Sequence, residues 1–149
     1  MSIIVMKFGG TSVGNIDRIK NVAKIVKKNV DQGNSIVVVV SAMAGTTNEL
    51  QKKAENISKN FNEEDCDLLL SSGEQVSTAL LSGALNDIKI KAKTLMSWQI
   101  PIVTEGKHTN GRIISVNTDI IKKNLNQNFV VVIPGFQGIN EQLRINTLG

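Results

Sequence analysis

The sequence predicts an α/β fold, in which a mainly parallel sheet carries helices on its faces. Three apolar, β-branched runs, within residues 2–6, 35–40 and 129–133, lack the alternation of apolar and polar side chains and are typical of strands buried on both faces. Segments with a helical spacing of apolar residues separate these runs. Strands that alternate with helices favour a parallel sheet, because each helix returns the chain to the edge where the previous strand began.

Two more strands are predicted, and both differ from the first three. Between residues 88 and 95, apolar residues alternate with three lysines, a pattern that indicates a strand near an edge of the sheet. Residues 100–103 add a short strand.

Four helices are expected in the remaining segments. The first covers residues 15–31, where Asn15 can cap its start and Gly33 can end it. The second, more polar helix begins at residue 46 or 47 and ends at 59. The third follows the capping residue Asn62 and continues to residue 85, although Ser71-Ser72-Gly73 can bend or divide it. The fourth spans residues 116 or 118 to 125.

Composition narrows the class of protein. The 149 residues suit one globular domain, and 17 Lys and Arg against 13 Asp and Glu give a net charge of +4. One cysteine, Cys66, excludes an internal disulfide framework. No apolar run approaches the roughly 20 residues of a membrane helix, so we expect a cytoplasmic protein with no membrane partner. Scattered lysines and 3% aromatic residues argue against a nucleic-acid partner.

Two segments follow predicted strands and could therefore bind a ligand at the carboxyl edge of the sheet. The segment Lys7-Phe8-Gly9-Gly10-Thr11-Ser12 combines a cation, two glycines, two hydroxyls and a helix start, which suits an anion, but a tight turn with a solvated Lys7 is as plausible. The residues from Ser41 to Asn48 could line a polar substrate, whereas Thr46 or Thr47 could equally serve only as a helix cap.

Other single residues offer weaker signals. On residue type alone, Glu74 is best interpreted as a surface carboxylate. His108 is the only histidine and lies in a loop-rich stretch with no nucleophile beside it, so a surface position is favoured. Cys66 has no basic neighbour in sequence and is not expected to be a catalytic thiol. Trp98 and Phe136 are interpreted as packing residues.

Several short motifs, taken in order, resemble those of aspartate kinases. They are Lys7-Phe8-Gly9-Gly10-Thr11-Ser12, residues 38–47, Ser72-Gly73-Glu74-Gln75-Val76-Ser77, Gly135-Phe136-Gln137-Gly138 and Thr147-Leu148-Gly149. The resemblance covers the whole chain. It implies the amino-acid-kinase fold, which is carbamate-kinase-like: a three-layer sandwich around a mainly parallel sheet.

The resemblance also implies an activity: transfer of the γ-phosphoryl group of ATP to the β-carboxylate of L-aspartate, which is the entry to lysine, threonine and methionine synthesis. Lys7 would contact the transferring phosphoryl group. The phosphates would be held by Gly9, Gly10, Thr11 and Ser12, and the aspartate by Ser41, Thr47 and Glu74. Magnesium would be carried with ATP, since no dedicated set of metal ligands is apparent.

The chain departs from the family where it stops. In the family, Thr-Leu-Gly is followed by Arg-Gly-Gly-Ser-Asp, by the nucleotide-binding half and by regulatory ACT domains. Residues 1–149 are therefore expected to be the N-terminal portion of an amino-acid-kinase domain, truncated and inactive alone, which either self-associates or binds a C-terminal partner fragment. The alternative is a non-catalytic remnant or partner-binding module that retains the phosphate loop.

Overall fold

The computed structural model describes residues 2–149, and strands and helices alternate along most of this range. The elements are β1 Ile3–Phe8, α1 Ile16–Asp31, β2 Ser35–Val40, α2 Thr46–Ile57, α3 Glu63–Asp87, β3 Ala92–Thr94, β4 Ile102–Glu105, β5 Arg112–Val116, α4 Asp119–Asn126, β6 Val130–Pro134, β7 Gln137–Ile139 and β8 Ile145–Thr147.

The first sheet is parallel throughout, with the strand order β1-β2-β6-β3. Its register sets Ile3 opposite Ser35 and Val37 opposite Val131. The edge position predicted for the strand between residues 88 and 95 is confirmed, because β3 pairs only with β6 among the strands described. The strand is shorter than predicted, since Ile88 ends α3 and Lys89 turns the chain with φ 66°.

This sheet is the middle one of three layers. The helices α1 and α3 pack on one face, against alternate residues of β2 such as Ile36 and Val38. The helix α4 and the start of β4 cover part of the other face, where Leu125 and Ile102 pack with Val37 and Val131. The predicted sandwich around a mainly parallel sheet is therefore confirmed.

The prediction that β1 is buried on both faces is wrong. Ile4 and Met6 pack against the α1 side, whereas Ile3 and Val5 on the opposite face are 59% and 65% exposed. A continuous apolar run indicates that both faces of a strand are apolar, but it does not indicate which segment covers each face. Within residues 2–149, nothing covers this face of β1 completely.

A second sheet, with the order β5-β4-β7-β8, was not predicted beyond its strand β4. In it, β4 pairs antiparallel with β5 and parallel with β7, and β7 pairs antiparallel with β8. Two of these strands have only three residues, which is too short for an apolar period to be recognised.

The third helix is continuous through Ser71-Ser72-Gly73. The hydroxyls of Ser71 and Ser72 donate to the carbonyls of Leu68 and Leu69, at 2.8 and 2.6 Å, and so stay within the helix. Its start is capped as predicted, because Asn62 Oδ1 accepts the amides of Glu64 and Asp65. No helix among the described residues has the length and apolar character needed to span a membrane.

Candidate functional site

An open cavity of ≈ 600 Å³ lies at the carboxyl ends of β1, β2 and β6. This is the edge at which open α/β sheets bind ligands. Its walls come from the turn after β1, the loop after β2, the middle of α3, the turn after β6 and the chain after β8. The lining residues include Lys7, Gly10, Ser41, Ala42, Thr47, Glu74, Phe136, Leu148 and Gly149.

Lys7 and Gly10 form the side of the cavity that belongs to β1. Lys7 is the last residue but one of the strand and is exposed. Gly10 lies so near the loop after β2 that an added Cβ would be 3.0 Å from the carbonyl oxygen of Ala42. Glycine therefore allows the two loops to approach, and the amide of Ser41, which donates to Phe8 at 3.1 Å, joins them.

The other residues of the predicted phosphate segment, Gly9, Thr11 and Ser12, are exposed on the turn beside Gly10 and do not line the cavity. The Ser12 amide donates within the turn to Gly9 at 3.0 Å. Arg18 braces the same turn by donating to the carbonyl of Thr11 at 2.9 Å. The helix begins only after Asn15, whose Oδ1 accepts the Arg18 amide, so the predicted cap is confirmed.

Ser41 and Thr47 lie in the loop after β2 and at the start of α2, and both line the cavity. The hypothesis that Thr46 or Thr47 only caps this helix is wrong. The cap residue is Gly45, with φ 85°, and no side chain bonds there. The Thr47 side chain is not engaged in a cap and is available at the cavity wall.

Glu74 lies in the cavity wall rather than on the surface, contrary to the interpretation from residue type alone. It is 4% exposed, and its Oε1 accepts the backbone amide of Ala42 at 3.1 Å. Its Oε2 is buried with no hydrogen-bond partner among the described residues. Burial raises the pKa of this carboxyl, and the hydrogen bond from Ala42 opposes that rise only in part.

Gly73 allows Glu74 to reach the loop after β2. A Cβ at this position would lie 2.9 Å from the Ala42 side chain and 3.3 Å from that of Thr46. Real Cβ atoms do not approach so closely. Gly73, which was expected with Ser71 and Ser72 to bend or divide the helix, instead marks the contact between α3 and the loop after β2.

Sequence reasoning from single residues missed the wall formed by the turn after β6. Phe136 adopts φ 70° and lines the cavity beside Gly135. Gln137, which is 2% exposed, holds this turn on α3 by donating from Nε2 to the carbonyls of Ser71 and Gly135, each at 3.1 Å. The sequence feature that could have indicated this turn is Gly135, a glycine directly after a buried strand.

Three residues that the sequence singled out, His108, Trp98 and Cys66, lie outside the cavity. The surface position expected for His108 is wrong, because its Nδ1 lies 2.6 Å from Oδ2 of the buried Asp67. Trp98 is 47% exposed and is not a core residue. Burial, reinforced by Asp67 and Glu63, raises the pKa of the Cys66 thiol, which disfavours the reactive thiolate.

No group of three or more His, Cys, Asp or Glu side chains within residues 2–149 is arranged to hold a metal ion. The cavity instead offers a lysine ammonium, a buried carboxylate, two hydroxyl side chains and backbone groups. That set can bind a zwitterion and stabilise developing negative charge.

Known proteins match this chain along its length. A profile of the amino acid kinase family matches residues 2–148. The aspartokinase of Geobacillus stearothermophilus is 49% identical over 149 residues, which is 100% of this chain and 37% of that protein. The crystal structure of aspartate kinase from Synechocystis aligns with a TM-score of 0.81 and 47% identity, covering 99% of this chain and 24% of that one.

More distant structures share the fold. Escherichia coli aspartokinase III in complex with aspartate and ADP aligns with a TM-score of 0.84 at 22% identity, over 99% of this chain and 43% of that one. Carbamate kinase from Giardia aligns with a TM-score of 0.72 at 12% identity, over 98% of this chain and 64% of that one. The carbamate-kinase-like fold is thus confirmed. The chain spans 37% of the length of its Geobacillus relative, and it belongs to the amino acid kinase family.

Proposed function

We propose that this chain supplies the acceptor site and the phosphate-stabilising lysine of an aspartate kinase. The reaction transfers the γ-phosphoryl group of ATP to the β-carboxylate of L-aspartate and releases 4-phospho-L-aspartate and ADP, the first step towards lysine, threonine and methionine. The observation that carries the proposal is one cavity that holds both Lys7 and a carboxylate, Glu74, with a buried oxygen that has no hydrogen-bond partner within residues 2–149. The identity to aspartokinases supports the choice of acceptor.

Glu74 is suited to receive the α-ammonium group of aspartate. A buried carboxylate oxygen without a donor is costly, and an ammonium group would supply both the hydrogen bond and the opposite charge. The other oxygen is already held by the amide of Ala42 at 3.1 Å, so the carboxylate is oriented before the ligand arrives. The hydroxyls of Ser41 and Thr47, on the same wall, would donate to the carboxylates of the substrate.

Lys7 would act on the phosphoryl group. Phosphoryl transfer requires mainly positioning and the stabilisation of spreading negative charge, and Lys7, near the end of β1, places a cation in the cavity wall. The turn after β1, with Gly9, Gly10, Thr11 and Ser12, would hold the phosphates beside it. Magnesium would come bound to the phosphates of ATP. The choice of nucleotide and acceptor is supported by the structure of E. coli aspartokinase III, which was crystallised with aspartate and ADP.

We further propose a partner for the apolar groove that adjoins the cavity. The groove has a volume of ≈ 490 Å³ and shares Lys7, Val39, Gly135, Phe136 and Leu148 with the cavity. Most of its wall is aliphatic, and it includes Ile3, Val5, Val37, Val39, Ile113, Val116, Ile121 and Ile133. Because the curated relatives are longer than this chain, we propose that a C-terminal partner fragment, equivalent to the part of those relatives that follows Gly149, covers this groove.

A coupled assay for aspartyl phosphate tests both proposals. The 149-residue chain is assayed alone and mixed with the remainder of the Geobacillus aspartokinase, cut after the residue aligned with Gly149. We expect negligible turnover from the chain alone and activity in the mixture. Lys7→Ala, which removes the cation, should lower the activity by roughly 100-fold or more. Lys24→Ala, which removes an exposed lysine from α1, should leave the activity unchanged.

The outcomes separate the alternatives. Normal rates from the chain alone would contradict the need for a partner. An active mixture that is insensitive to Lys7→Ala would contradict the role of the lysine. An inactive mixture of two folded pieces would favour a non-catalytic remnant or binding module that retains the phosphate loop.

A further inference from the structure

A second polar cluster lies on α3, two turns before Glu74, and centres on Asp67. This residue is 0% exposed, although aspartate is among the side chains least often buried completely. A separation of seven residues sets Asp67 and Glu74 on the same side of the helix. Asp67 does not line the cavity. Its carboxylate therefore binds other parts of the protein rather than the ligand.

The carboxylate of Asp67 accepts hydrogen bonds from two segments that are distant in sequence. From the loop between β4 and β5, His108 Nδ1 lies 2.6 Å from Oδ2, and the Thr109 amide donates at 3.0 and 3.1 Å to the two oxygens. From β8, Thr147 Oγ1 donates to Oδ1 at 2.5 Å, and Asn146 Nδ2 lies 3.4 Å from Oδ2. A buried carboxylate needs such a full set of donors, so α3, the loop and β8 are held together at one point.

The loop and β8 also hold each other. The Gly111 amide donates to Thr147 at 2.8 Å, and the Gly149 amide donates back to Gly111 at 3.0 Å. A Cβ on Gly111 would overlap the side chain of Asn146, and one on Gly149 would overlap that of Asn110. The loop and the end of β8 are therefore in close contact at both glycines.

The residues that follow β8 form part of the candidate site. Leu148 and Gly149 follow Thr147 directly and line the cavity together with residues of β1 and of the loop after β2. The Leu148 amide donates to Phe136 at 2.9 Å and so connects this wall to the turn after β6. The position of the wall therefore depends on where Thr147 is anchored.

We propose that Asp67 is a positioning residue for the acceptor site, which anchors the 106–111 loop and Thr147 to α3 and thereby fixes Leu148-Gly149 in the wall of the cavity. The inference rests on the proposed function of that cavity. Asp67 contributes no atom to the cavity. It sets the distance between the helix that carries Glu74 and the strand whose end closes the site.

Amide hydrogen exchange on the 149-residue chain tests the anchoring. Asp67→Asn keeps the size of the side chain but replaces an acceptor oxygen with a donor, and Thr147→Val replaces the hydroxyl with a methyl group of similar size. For both variants we expect the Gly111, Leu148 and Gly149 amides to exchange at least about tenfold faster, while amides of β2 and β6 keep their rates. Two matched variants should behave as wild type: Asp65→Asn, at an exposed position of the same helix, and Thr147→Ser, which retains the hydroxyl.

Steady-state kinetics on the mixture with the C-terminal partner fragment test the functional consequence. We expect Asp67→Asn and Thr147→Val to raise the KM for aspartate by about tenfold and to change the KM for ATP and the kcat by less than about twofold. Thr147→Ser should keep the wild-type KM for aspartate, because serine retains the hydroxyl. A merely structural role would lower the amount of folded enzyme, and hence the apparent kcat, without this selective effect.

Each outcome decides one question. Unchanged exchange at the three amides in both variants, or faster exchange with an unchanged KM for aspartate, would overturn the positioning role. Faster exchange throughout β2 and β6 in Thr147→Val as well as Asp67→Asn would also overturn it, since Asp67 would then only support folding. If the wild-type mixture is inactive, the proposed function fails while the exchange rates still decide whether Asp67 anchors the wall.

Discussion

At the scale of single residues, the chemistry of this chain centres on Glu74. Its buried Oε2 has no donor within the described part of the chain, and burial holds its pKa above the ordinary glutamate range. Such a group weakens the folded state when it is charged and becomes favourable once a cation is bound. The same feature that costs stability therefore prepares the residue for an ammonium ligand.

This cost predicts a pH dependence of stability. Because the folded state holds the Glu74 proton more tightly than the unfolded state, the free energy of unfolding should fall as the pH rises through the ordinary glutamate pKa, and level off above the raised one. Glu74→Gln should lack this contribution, so it should gain stability relative to wild type over that interval. Urea denaturation at a series of pH values measures the difference.

A control and a ligand make this prediction specific. Glu141→Gln, at an exposed position, should show the pH dependence of wild type. L-aspartate should stabilise the wild-type chain, or its mixture with the partner fragment, more than it stabilises Glu74→Gln. Equal pH profiles for wild type and Glu74→Gln would show that the carboxylate carries no burial cost.

At the scale of elements, α3 organises the site. One helix carries Asp67, Gly73 and Glu74, and its middle contacts the loop after β2 while its first half contacts β8. Its length and cap were predictable from Asn62, the acidic first turn and the apolar spacing. Its contacts were not, because they join residues 32 and 80 positions apart.

Two glycines of α3 give a matched pair of substitutions. Gly73→Ala places a Cβ 2.9 Å from the Ala42 side chain, whereas Gly83→Ala meets no atom within 4 Å. We expect Gly73→Ala to destabilise the chain by about 1–3 kcal/mol through overpacking. Gly83→Ala should stabilise it by about 0.5–1 kcal/mol, because alanine is the better helix former. Thermal or urea unfolding of the two variants measures both changes, and a stabilised Gly73→Ala would contradict the close contact.

The strands show where sequence patterns succeed and fail. The apolar run of β2 correctly predicted a central strand, since both Val37 and Val38 are buried. An equally apolar run in β1 led to the wrong conclusion, because Ile3 and Val5 face a groove that residues 2–149 leave open. Burial of a strand face depends on what packs against it, and the strand's own residues do not encode its neighbour.

At the scale of the whole molecule, the open groove predicts self-association when no partner fragment is present. An apolar face beside an unpaired strand edge favours pairing with another chain. We expect Val5→Lys, which introduces a charge on β1 inside the groove, to shift the chain towards monomer in sedimentation velocity. Adding the partner fragment should likewise displace the self-associated form of wild type.

The control is Ile57→Lys, at an apolar residue that is 78% exposed at the end of α2 and does not line the groove. It should leave the association state unchanged. If Val5→Lys associates as strongly as wild type, the groove is not the contact surface between copies.

The sequence alone predicts the class of this fold, its four helices, the caps Asn15 and Asn62, the parallel strands and the segments that meet at the carboxyl edge, because apolar period, capping residues and glycines act over a few neighbouring positions. Family motifs also singled out Lys7, Ser41, Thr47 and Glu74, which all line one cavity. Only the tertiary structure decided the burial of Glu74 and Asp67, the second sheet, the place of His108 and the exposure of β1. Each of these depends on contacts between segments that are distant in sequence. Whether a residue in such a contact is buried and hydrogen-bonded depends on both segments, so it cannot be predicted from either segment alone.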